Sequence, residues 1–284
     1  MKTEDCFVDT PAGRLSGRLS GPKSRPRGLV VALHGGTYDA GYYDMGPDSL
    51  LSLGAALDLC VLALDRPGYG LGRALDSRWL SFDGQVQLLA AALDRAAGDM
   101  DPVTGVVLMG HSIGGMLALR VAAEAKQALR GVEVSGIGLQ WRPGMQELWS
   151  SFVGDQAAID VPPQAHAHVM FGPPGTYAES RLALDAQLLR PMPMPELMDV
   201  VRWADAFPSV ARGVTAPVSI TFPENDNIWM TDADARACAA ALFTHAASVR
   251  VELLPQAGHC IELHKRARSY CLRQLAFAEE CLGY

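Results

Sequence analysis

Residues 106–115 read Val-Val-Leu-Met-Gly-His-Ser-Ile-Gly-Gly, an apolar run that leads into a Gly-x-Ser-x-Gly motif. A helix-forming stretch, Met116 to Glu124, follows directly. A strand that turns abruptly into a helix crowds its own backbone at the corner, and Gly110 and Gly114 remove the side chains that would collide there. The sequence therefore predicts that Ser112 projects at the carboxyl edge of a sheet.

Other short apolar runs have the length of buried strands. They lie at Gly28–Leu33, Cys60–Leu64, Val132–Leu139, Pro217–Phe222 and Val249–Leu254. Runs without polar alternation are typical of parallel sheets that are covered on both faces. Because helix-forming stretches separate the runs, the sequence predicts an α/β fold with a doubly wound, mostly parallel sheet. An antiparallel hairpin, with Phe7–Asp9 paired to Leu15–Leu19, is expected to begin the sheet.

The chain between Leu139 and Pro217 is too long for a simple crossover between parallel strands. It contains three of the five tryptophans and two proline-rich interruptions. We interpret it as a helical cap inserted between two strands. This interpretation predicts a core formed by residues 1–139 and 213–284 and a cap formed by residues 140–212.

The composition argues against highly charged partners and against membrane insertion. The chain has 284 residues, 49% of them hydrophobic, and a net charge of -7 with its basic residues scattered. This length suits one large domain, and scattered Lys and Arg do not suit nucleic acid. No segment has the roughly 18 apolar residues of a membrane helix, and the first residues lack the apolar stretch of a signal peptide. We expect a soluble, cytoplasmic protein that acts on a small molecule, without nucleic acid or membrane partners. The composition leaves the oligomeric state open.

Cysteines and histidines lack the spacing of a disulfide framework or of a metal site. The six cysteines are dispersed without a Cys-x-x-Cys pair, so we expect free thiols, with Cys260 as a small buried hydrophobic residue. His34, His166 and His168 lack the companion ligands of a zinc site. We therefore predict no metal and no organic cofactor.

A serine hydroxyl becomes a nucleophile when a base lies within hydrogen-bond reach and a third group orients that base. His259 follows the last predicted strand, where a loop at the carboxyl edge of the sheet can direct it towards Ser112. The orienting acid is expected after the predicted strand Pro217–Phe222. Asp226 is our choice for it, and Glu224 is the alternative.

The tetrahedral oxygen formed by such an attack needs backbone donors that are already in place. The Ile113 N–H, at the positive end of the predicted helix, is one candidate. Residues 34–37, His-Gly-Gly-Thr, follow the predicted strand Gly28–Leu33 and offer the other. Gly36 is our first choice and Thr37 the second.

A further motif, Asp65-Arg66-Pro67-Gly68-Tyr69-Gly70, follows the predicted strand Cys60–Leu64. Its proline and glycines indicate a rigid turn. We expect Asp65 to accept hydrogen bonds from nearby backbone amides and Arg66 to pair locally.

Together these residues resemble the α/β-hydrolase fold superfamily over nearly the whole chain. The resemblance rests on the chain order Ser112, Asp226, His259, on the serine motif, on the His-Gly-Gly turn and on the Asp-Arg-Pro-Gly-Tyr-Gly loop. It implies an eight-stranded sheet with helices on both faces and a lid after strand six. The chain is similar to single-domain esterases, lactonases, carbon-carbon bond hydrolases and cofactor-free haloperoxidases. It departs from epoxide hydrolases and haloalkane dehalogenases, which have aspartate at the position of Ser112.

The large apolar side chains of the cap are expected to line a substrate cavity above the sheet edge. They are Trp141, Trp149, Phe152, Met170, Phe171, Tyr177, Met192, Met194 and Trp203. Among them we assign substrate contact to Trp141, Phe171, Met194 and Trp203, and we add Thr37 and His111 from the core.

Our hypothesis is a serine hydrolase that cleaves a carboxylic ester, a lactone or a thioester of a small, largely hydrophobic substrate through an acyl-enzyme on Ser112. Two alternatives stay open because the fold does not fix the reaction. One is a carbon-carbon bond hydrolase, lyase or biosynthetic cyclase that uses the same triad for proton transfer. The other is a non-catalytic ligand-binding member of the fold.

Overall fold

The apolar runs of the sequence form one eight-stranded sheet in the computed structural model, which describes residues 2–100, 105–124 and 129–284. Two further short strands pair with each other outside this sheet. The strands in chain order are β1 (Glu4–Thr10), β2 (Gly13–Ser20), β3 (Leu29–Leu33), β4 (Cys60–Leu64), β5 (Val106–His111), β6 (Leu129–Ser135), β7 (Ala158–Ile159), β8 (Met192–Pro193), β9 (Val218–Asn225) and β10 (Val249–Gly258).

The sheet order is β1-β2-β4-β3-β5-β6-β9-β10. β1 pairs antiparallel with β2, and β2 pairs antiparallel with β4. Every later pair is parallel, so the carboxyl ends of β3, β5, β6, β9 and β10 meet at one edge. The predicted fold class, a mostly parallel sheet with an antiparallel start, is confirmed.

Helices cover the sheet in two groups. α1 packs against α10, and α3 packs against α2 and α8. The helices in chain order are α1 (Leu50–Ala56), α2 (Phe82–Gly98), α3 (Ile113–Glu124), α4 (Met145–Ser151), α5 (Pro163–Met170), α6 (Ser180–Leu188), α7 (Met194–Val200), α8 (Trp203–Gly213), α9 (Ala233–Ala241) and α10 (Ala267–Leu282). In the described parts of the chain, no helix combines the length and the apolar character needed to cross a membrane.

The central strands are buried along their whole length, as two covered faces require. Every residue of β3 and of β4 is buried. The strand predicted at Val132–Leu139 lies instead at Leu129–Ser135. It ends there because Gly136 has a φ of +62°, a left-handed conformation that breaks the extended backbone.

The chain between β6 and β9, residues 136–217, holds α4 to α8 and the small β7–β8 pair. We call it the insertion. Its last helix, α8, packs against α3 and so belongs spatially to the helical layer on the sheet. The division at residues 140 and 212 into cap and core stays a prediction.

Candidate active site

Ser112 occupies the corner between β5 and α3 in a strained backbone conformation. Its φ is +53°, a left-handed value that costs a non-glycine residue about 1–3 kcal/mol. The corner leaves no room for neighbouring side chains. A Cβ at Gly110 would lie 2.3 Å from the Gly114 carbonyl oxygen, and one at Gly114 would lie 2.0 Å from the Leu33 carbonyl oxygen. The two glycines of the motif are therefore required by the close approach of β3, β5 and α3.

The structure brings Ser112, His259 and Asp226 into one hydrogen-bonded chain. Nε2 of His259 lies 2.9 Å from Oγ of Ser112, and Nδ1 of His259 lies 2.9 Å from Oδ2 of Asp226. His259 and Asp226 are buried, and Ser112 is partly exposed. The other carboxylate oxygen of Asp226 accepts the N–H groups of Ile228 at 2.8 Å and Trp229 at 3.2 Å. These bonds fix the carboxylate in a position to orient the imidazole.

Glu224, the alternative acid, lies elsewhere. Its side chain is exposed, and Oε2 accepts the backbone N–H of Gln256 at 2.8 Å. It therefore joins the end of β9 to β10, two residues before the acid that reaches His259.

The loop 34–37 passes close to Ser112 and Ile113. A Cβ at Gly35 would lie 3.3 Å from Cβ of Ser112, and one at Gly36 would lie 2.6 Å from Cδ1 of Ile113. Within the described residues, the N–H groups of Gly36 and Ile113 have no hydrogen-bond acceptor. The N–H of Thr37 donates to the Tyr69 hydroxyl at 3.3 Å. Gly36 and Ile113 thus offer two unoccupied donors near the serine.

Arg66 does not pair locally, and this corrects the sequence expectation. Its side chain is fully buried and pairs with Glu196 of α7 at 2.5 Å. The same guanidinium donates to the carbonyls of His34 at 2.8 Å and Gly35 at 3.1 Å. Arg66 therefore ties the loop 34–37 to the insertion. Asp65 acts as expected, since it accepts the Ala40 N–H at 2.7 Å.

Two further histidines near the serine are held neutral. Burial and the nearby Arg66 charge lower the pKa of His34, and its Nε2 accepts the backbone N–H of Arg66 at 3.1 Å. Burial and the neighbouring His259 lower the pKa of His111, whose ring stacks on Tyr42. Burial raises the pKa of the Cys260 thiol, so it stays protonated in the cavity wall. In the described part of the chain, no three His, Cys, Asp or Glu side chains are grouped to hold a metal ion.

A narrow, mostly apolar cavity lies above Ser112. Three of the residues that we assigned to substrate contact, Thr37, His111 and Trp141, line it. Trp149, Met170 and Met192, which were expected in the cavity wall, also line it, whereas Phe152 and Tyr177, expected there as well, do not. The sequence analysis did not predict five further lining residues: Tyr38, Met116, Val200, Ile228 and Trp229.

Phe171, Met194 and Trp203 do not line this cavity, which corrects the sequence assignment. Phe171 packs edge-on against Tyr177 with ring centroids 4.7 Å apart. Trp203 stacks on Phe207 with ring centroids 5.0 Å apart, and both are buried residues of α8. Met194 begins α7 and is buried at the β7–β8 pair. Each of the three belongs to the buried hydrophobic cluster instead of the cavity wall.

Trp229 is the most informative residue that the sequence analysis missed. Its ring lies 4.1 Å from that of Trp141, and both line the cavity. The signal was available, because Trp229 follows Asp226 in the same loop at the carboxyl edge of the sheet. A loop that places Asp226 near the site of Ser112 also places the residues next to it, such as Trp229, near that site.

No curated protein sequence matches the chain. Solved structures share its architecture. A soluble variant of monoglyceride lipase from Saccharomyces cerevisiae, in complex with a substrate analog, has a TM-score of 0.76 and 14% identity over 99% of this chain and 95% of its own. A lipase in its open form has a TM-score of 0.73 and 17% identity over 100% of both chains. A monoacylglycerol lipase from Paleococcus ferrophilus has a TM-score of 0.69 and 17% identity over 99% of this chain and 100% of its own.

At such low identity these likenesses establish the fold. The family assignment comes from the sequence itself, since residues 30–268 match the alpha/beta hydrolase family. The matched range includes the serine corner, the loop 34–37, Asp226 and His259. The chain belongs to the alpha/beta hydrolase family.

Proposed function

We propose that this protein is a serine hydrolase that cleaves a carboxylic ester of a small, largely hydrophobic molecule, with a lactone or thioester as related substrates. One observation carries the proposal: the hydrogen-bonded chain Ser112–His259–Asp226 ends on a partly exposed hydroxyl in an apolar cavity. The reaction requires no metal or organic cofactor.

In the proposed mechanism, Nε2 of His259 accepts the proton of the Ser112 hydroxyl as Oγ attacks the carbonyl carbon. The 2.9 Å contact between these atoms suits direct proton transfer. His259 then donates the proton to the leaving alcohol, and the acyl group remains on Ser112. A water molecule, activated by the same imidazole, releases the acid. Asp226 holds the tautomer that leaves Nε2 free to accept and stabilises the positive imidazole.

The N–H groups of Gly36 and Ile113 are proposed as the oxyanion donors. Both lack another acceptor among the described residues, and Ile113 is the first residue of α3, where the helix dipole favours negative charge. Loss of one such donor typically raises the barrier by about 2.7–4 kcal/mol. Thr37 is the weaker candidate because its N–H already donates to Tyr69.

The proposed substrate class follows from the cavity wall. Trp141, Trp149 and Trp229 line the cavity, together with Met116, Met170 and Met192. Such a wall favours an apolar or aromatic acyl or alcohol group over a peptide. Two of the compared proteins are named monoglyceride and monoacylglycerol lipases, which supports an ester as the bond that is cleaved. Residues 140–212 are proposed as the cap that covers this substrate.

Turnover of p-nitrophenyl esters with acyl chains of increasing length tests the proposal. We expect saturable hydrolysis by the wild type, loss of hydrolysis in Ser112→Ala, and unchanged hydrolysis in Ser77→Ala, a change at an exposed serine. A folded wild-type protein that hydrolyses no ester, lactone or thioester would contradict the proposal. Proton-transfer chemistry on a carbon-carbon bond or ligand binding without turnover would then account for the site.

A further inference from the structure

A second chain of hydroxyl, imidazole and carboxylate reaches the cavity from the insertion. Oγ1 of Thr37 lies 3.0 Å from Nε2 of His166, and Nδ1 of His166 lies 3.0 Å from Oδ2 of Asp185. His166 belongs to α5 and Asp185 to α6, and both are buried. The Tyr38 hydroxyl donates to the other oxygen of Asp185 at 2.5 Å. Both carboxylate oxygens are therefore occupied, and the imidazole is held in one orientation.

Every polar group of Thr37 is bonded either to the insertion or to a side chain that the insertion holds. His166 contacts the hydroxyl, and the backbone N–H of Arg190 donates to the Thr37 carbonyl at 2.8 Å. The Thr37 N–H donates to Tyr69, whose own hydroxyl donates to Glu196 of α7 at 2.8 Å. The insertion thus fixes this residue from three directions.

Thr37 needs this support because its backbone is strained. Its φ is +62°, in the left-handed region that a β-branched residue rarely adopts. Such a conformation costs about 1–3 kcal/mol and persists only where the surroundings determine it. The preceding residue is Gly36, whose N–H is the proposed oxyanion donor. Relaxation of Thr37 would rotate the backbone that aims this donor.

The array is built for positioning and not for a second nucleophilic attack. The Thr37 hydroxyl contacts two groups at once, the Gly36 carbonyl oxygen at 2.5 Å and Nε2 of His166 at 3.0 Å, so both contacts hold it within its own loop. Thr37 is also only 2% exposed. Its side chain therefore closes a local ring that includes the carbonyl of Gly36.

We propose that His166, oriented by Asp185, is a positioning residue that holds Thr37 in its left-handed conformation and thereby keeps the Gly36 N–H aimed at the oxyanion. The inference rests on the proposed ester hydrolysis and adds to it that the insertion assembles half of the oxyanion site. It places the effect of His166 on the chemical step and not on substrate affinity.

Steady-state kinetics on a p-nitrophenyl ester separates these two effects. For His166→Ala we expect kcat to fall by about 10- to 100-fold, as for a misplaced catalytic group, with KM changed less than about twofold. His166→Gln keeps a polar group near the place of Nε2 and should recover part of kcat. His168→Gln is the matched control, because His168 is exposed on the same helix, and it should match the wild type.

A double-mutant cycle with Thr37→Val tests whether His166 acts through Thr37. Valine keeps the β-branched shape and removes the hydroxyl, so it also serves as the test if His166→Ala does not fold. We expect the double variant to lose no more kcat than the more impaired single variant. Additive losses, a change confined to KM, or a wild-type kcat in the folded single variants would overturn the inference. Wild-type protein that hydrolyses no ester overturns the proposed function itself, so the two failures are distinguishable.

Discussion

The Ser112 array (Ser112, His259 and Asp226) and the Thr37 array (Thr37, His166 and Asp185) contain the same three chemical groups at nearly the same distances. The hydroxyl-bearing residue of each lines the same cavity. In one, the hydroxyl of Ser112 has His259 as its hydrogen-bond partner in the described structure. In the other, the hydroxyl of Thr37 is occupied by both His166 and the Gly36 carbonyl. Both hydroxyl-bearing residues have a positive φ. The spacing of the three groups therefore does not by itself distinguish the proposed nucleophile, Ser112, from Thr37.

The difference lies in what surrounds each hydroxyl. Ser112 stands at a strand-to-helix corner, partly exposed, with the unoccupied Ile113 N–H beside it. Thr37 is enclosed, and its backbone N–H and carbonyl are both bonded. A hydroxyl with a free approach and a nearby oxyanion donor can attack a carbonyl, whereas an enclosed hydroxyl can only hold its own loop in place.

The largest expected effect separates the two hydroxyls. Ser112→Ala should lower kcat for p-nitrophenyl esters by about 10⁴-fold or more, because the acyl-enzyme can no longer form. Thr37→Val should lower it by about 10- to 100-fold through misplacement of the Gly36 donor. Side-by-side turnover of the purified variants measures both. Equal losses in the two variants would remove the distinction between attack and positioning.

Removal of the Asp226 carboxylate should lower kcat more than removal of the Asp185 carboxylate. Asp226→Asn is expected to lower kcat by about 10³- to 10⁴-fold, because an amide stabilises the wrong tautomer of His259. Asp185→Asn should cost about tenfold or less, since His166 is not required to move a proton. Steady-state kinetics with both variants checks the order, and a larger loss from Asp185→Asn would reverse our assignment of the arrays.

The ion pair between Arg66 and Glu196, which joins the loop 34–37 to the insertion, should contribute to the free energy of unfolding. Arg66→Met leaves Glu196 buried without its cation and should lower the free energy of unfolding by about 3–5 kcal/mol. The exposed Arg95–Asp99 pair is the matched control, and Arg95→Met should change it by less than about 1 kcal/mol. Urea unfolding measures both. A loss below about 1 kcal/mol in Arg66→Met would show that the buried pair does not hold the loop.

The smallest expected effect is a pH dependence of stability that arises from the buried carboxyl group of Glu262. Glu262 accepts the hydroxyl of Tyr42, whose ring stacks on His111, and burial raises the pKa of Glu262 to about 7. Since the folded state holds this proton more tightly than the unfolded state, it binds more protons between about pH 4.5 and 7. Stability should therefore fall as the pH rises through this range, by at most about 1.4 kcal/mol per pH unit for this group.

Urea unfolding at pH 5, 6 and 7 checks this pH dependence. Glu262→Gln should flatten the decline, and Glu147→Gln, a change at an exposed glutamate, should leave it as in the wild type. Burial also raises the pKa of Glu133, to about 8, so part of the decline should remain in Glu262→Gln. An unchanged slope in Glu262→Gln would contradict the assignment.

Local sequence patterns predicted most of the fold and the residues of the proposed triad. The apolar runs predicted the sheet, and the glycines around Ser112 predicted its corner, because both depend on neighbours in the chain. Loop position brought Asp226 and His259 into consideration for the same reason. The end of β6 was missed because a single residue, Gly136, takes a left-handed conformation.

Contacts between distant segments could not be predicted in this way. Arg66 bonds Glu196, and Thr37 bonds His166, and the partners in each pair are more than a hundred residues apart in the sequence. Nothing in the local sequence of either residue specifies such a partner, because the pairing depends on how the insertion docks. The same reason explains why Phe171, Met194 and Trp203 are buried away from the cavity while Trp229 lines it.

The central claim is that Ser112, and not Thr37, is the activated hydroxyl. Intact-mass spectrometry after incubation with a fluorophosphonate, followed by peptide mapping, tests it most directly on the wild type, Ser112→Ala and Thr37→Val. We predict a single adduct on Ser112 in the wild type, none in Ser112→Ala, and slower labelling of Ser112 in Thr37→Val. An adduct on Thr37, or a folded wild type that forms no adduct, would contradict the account.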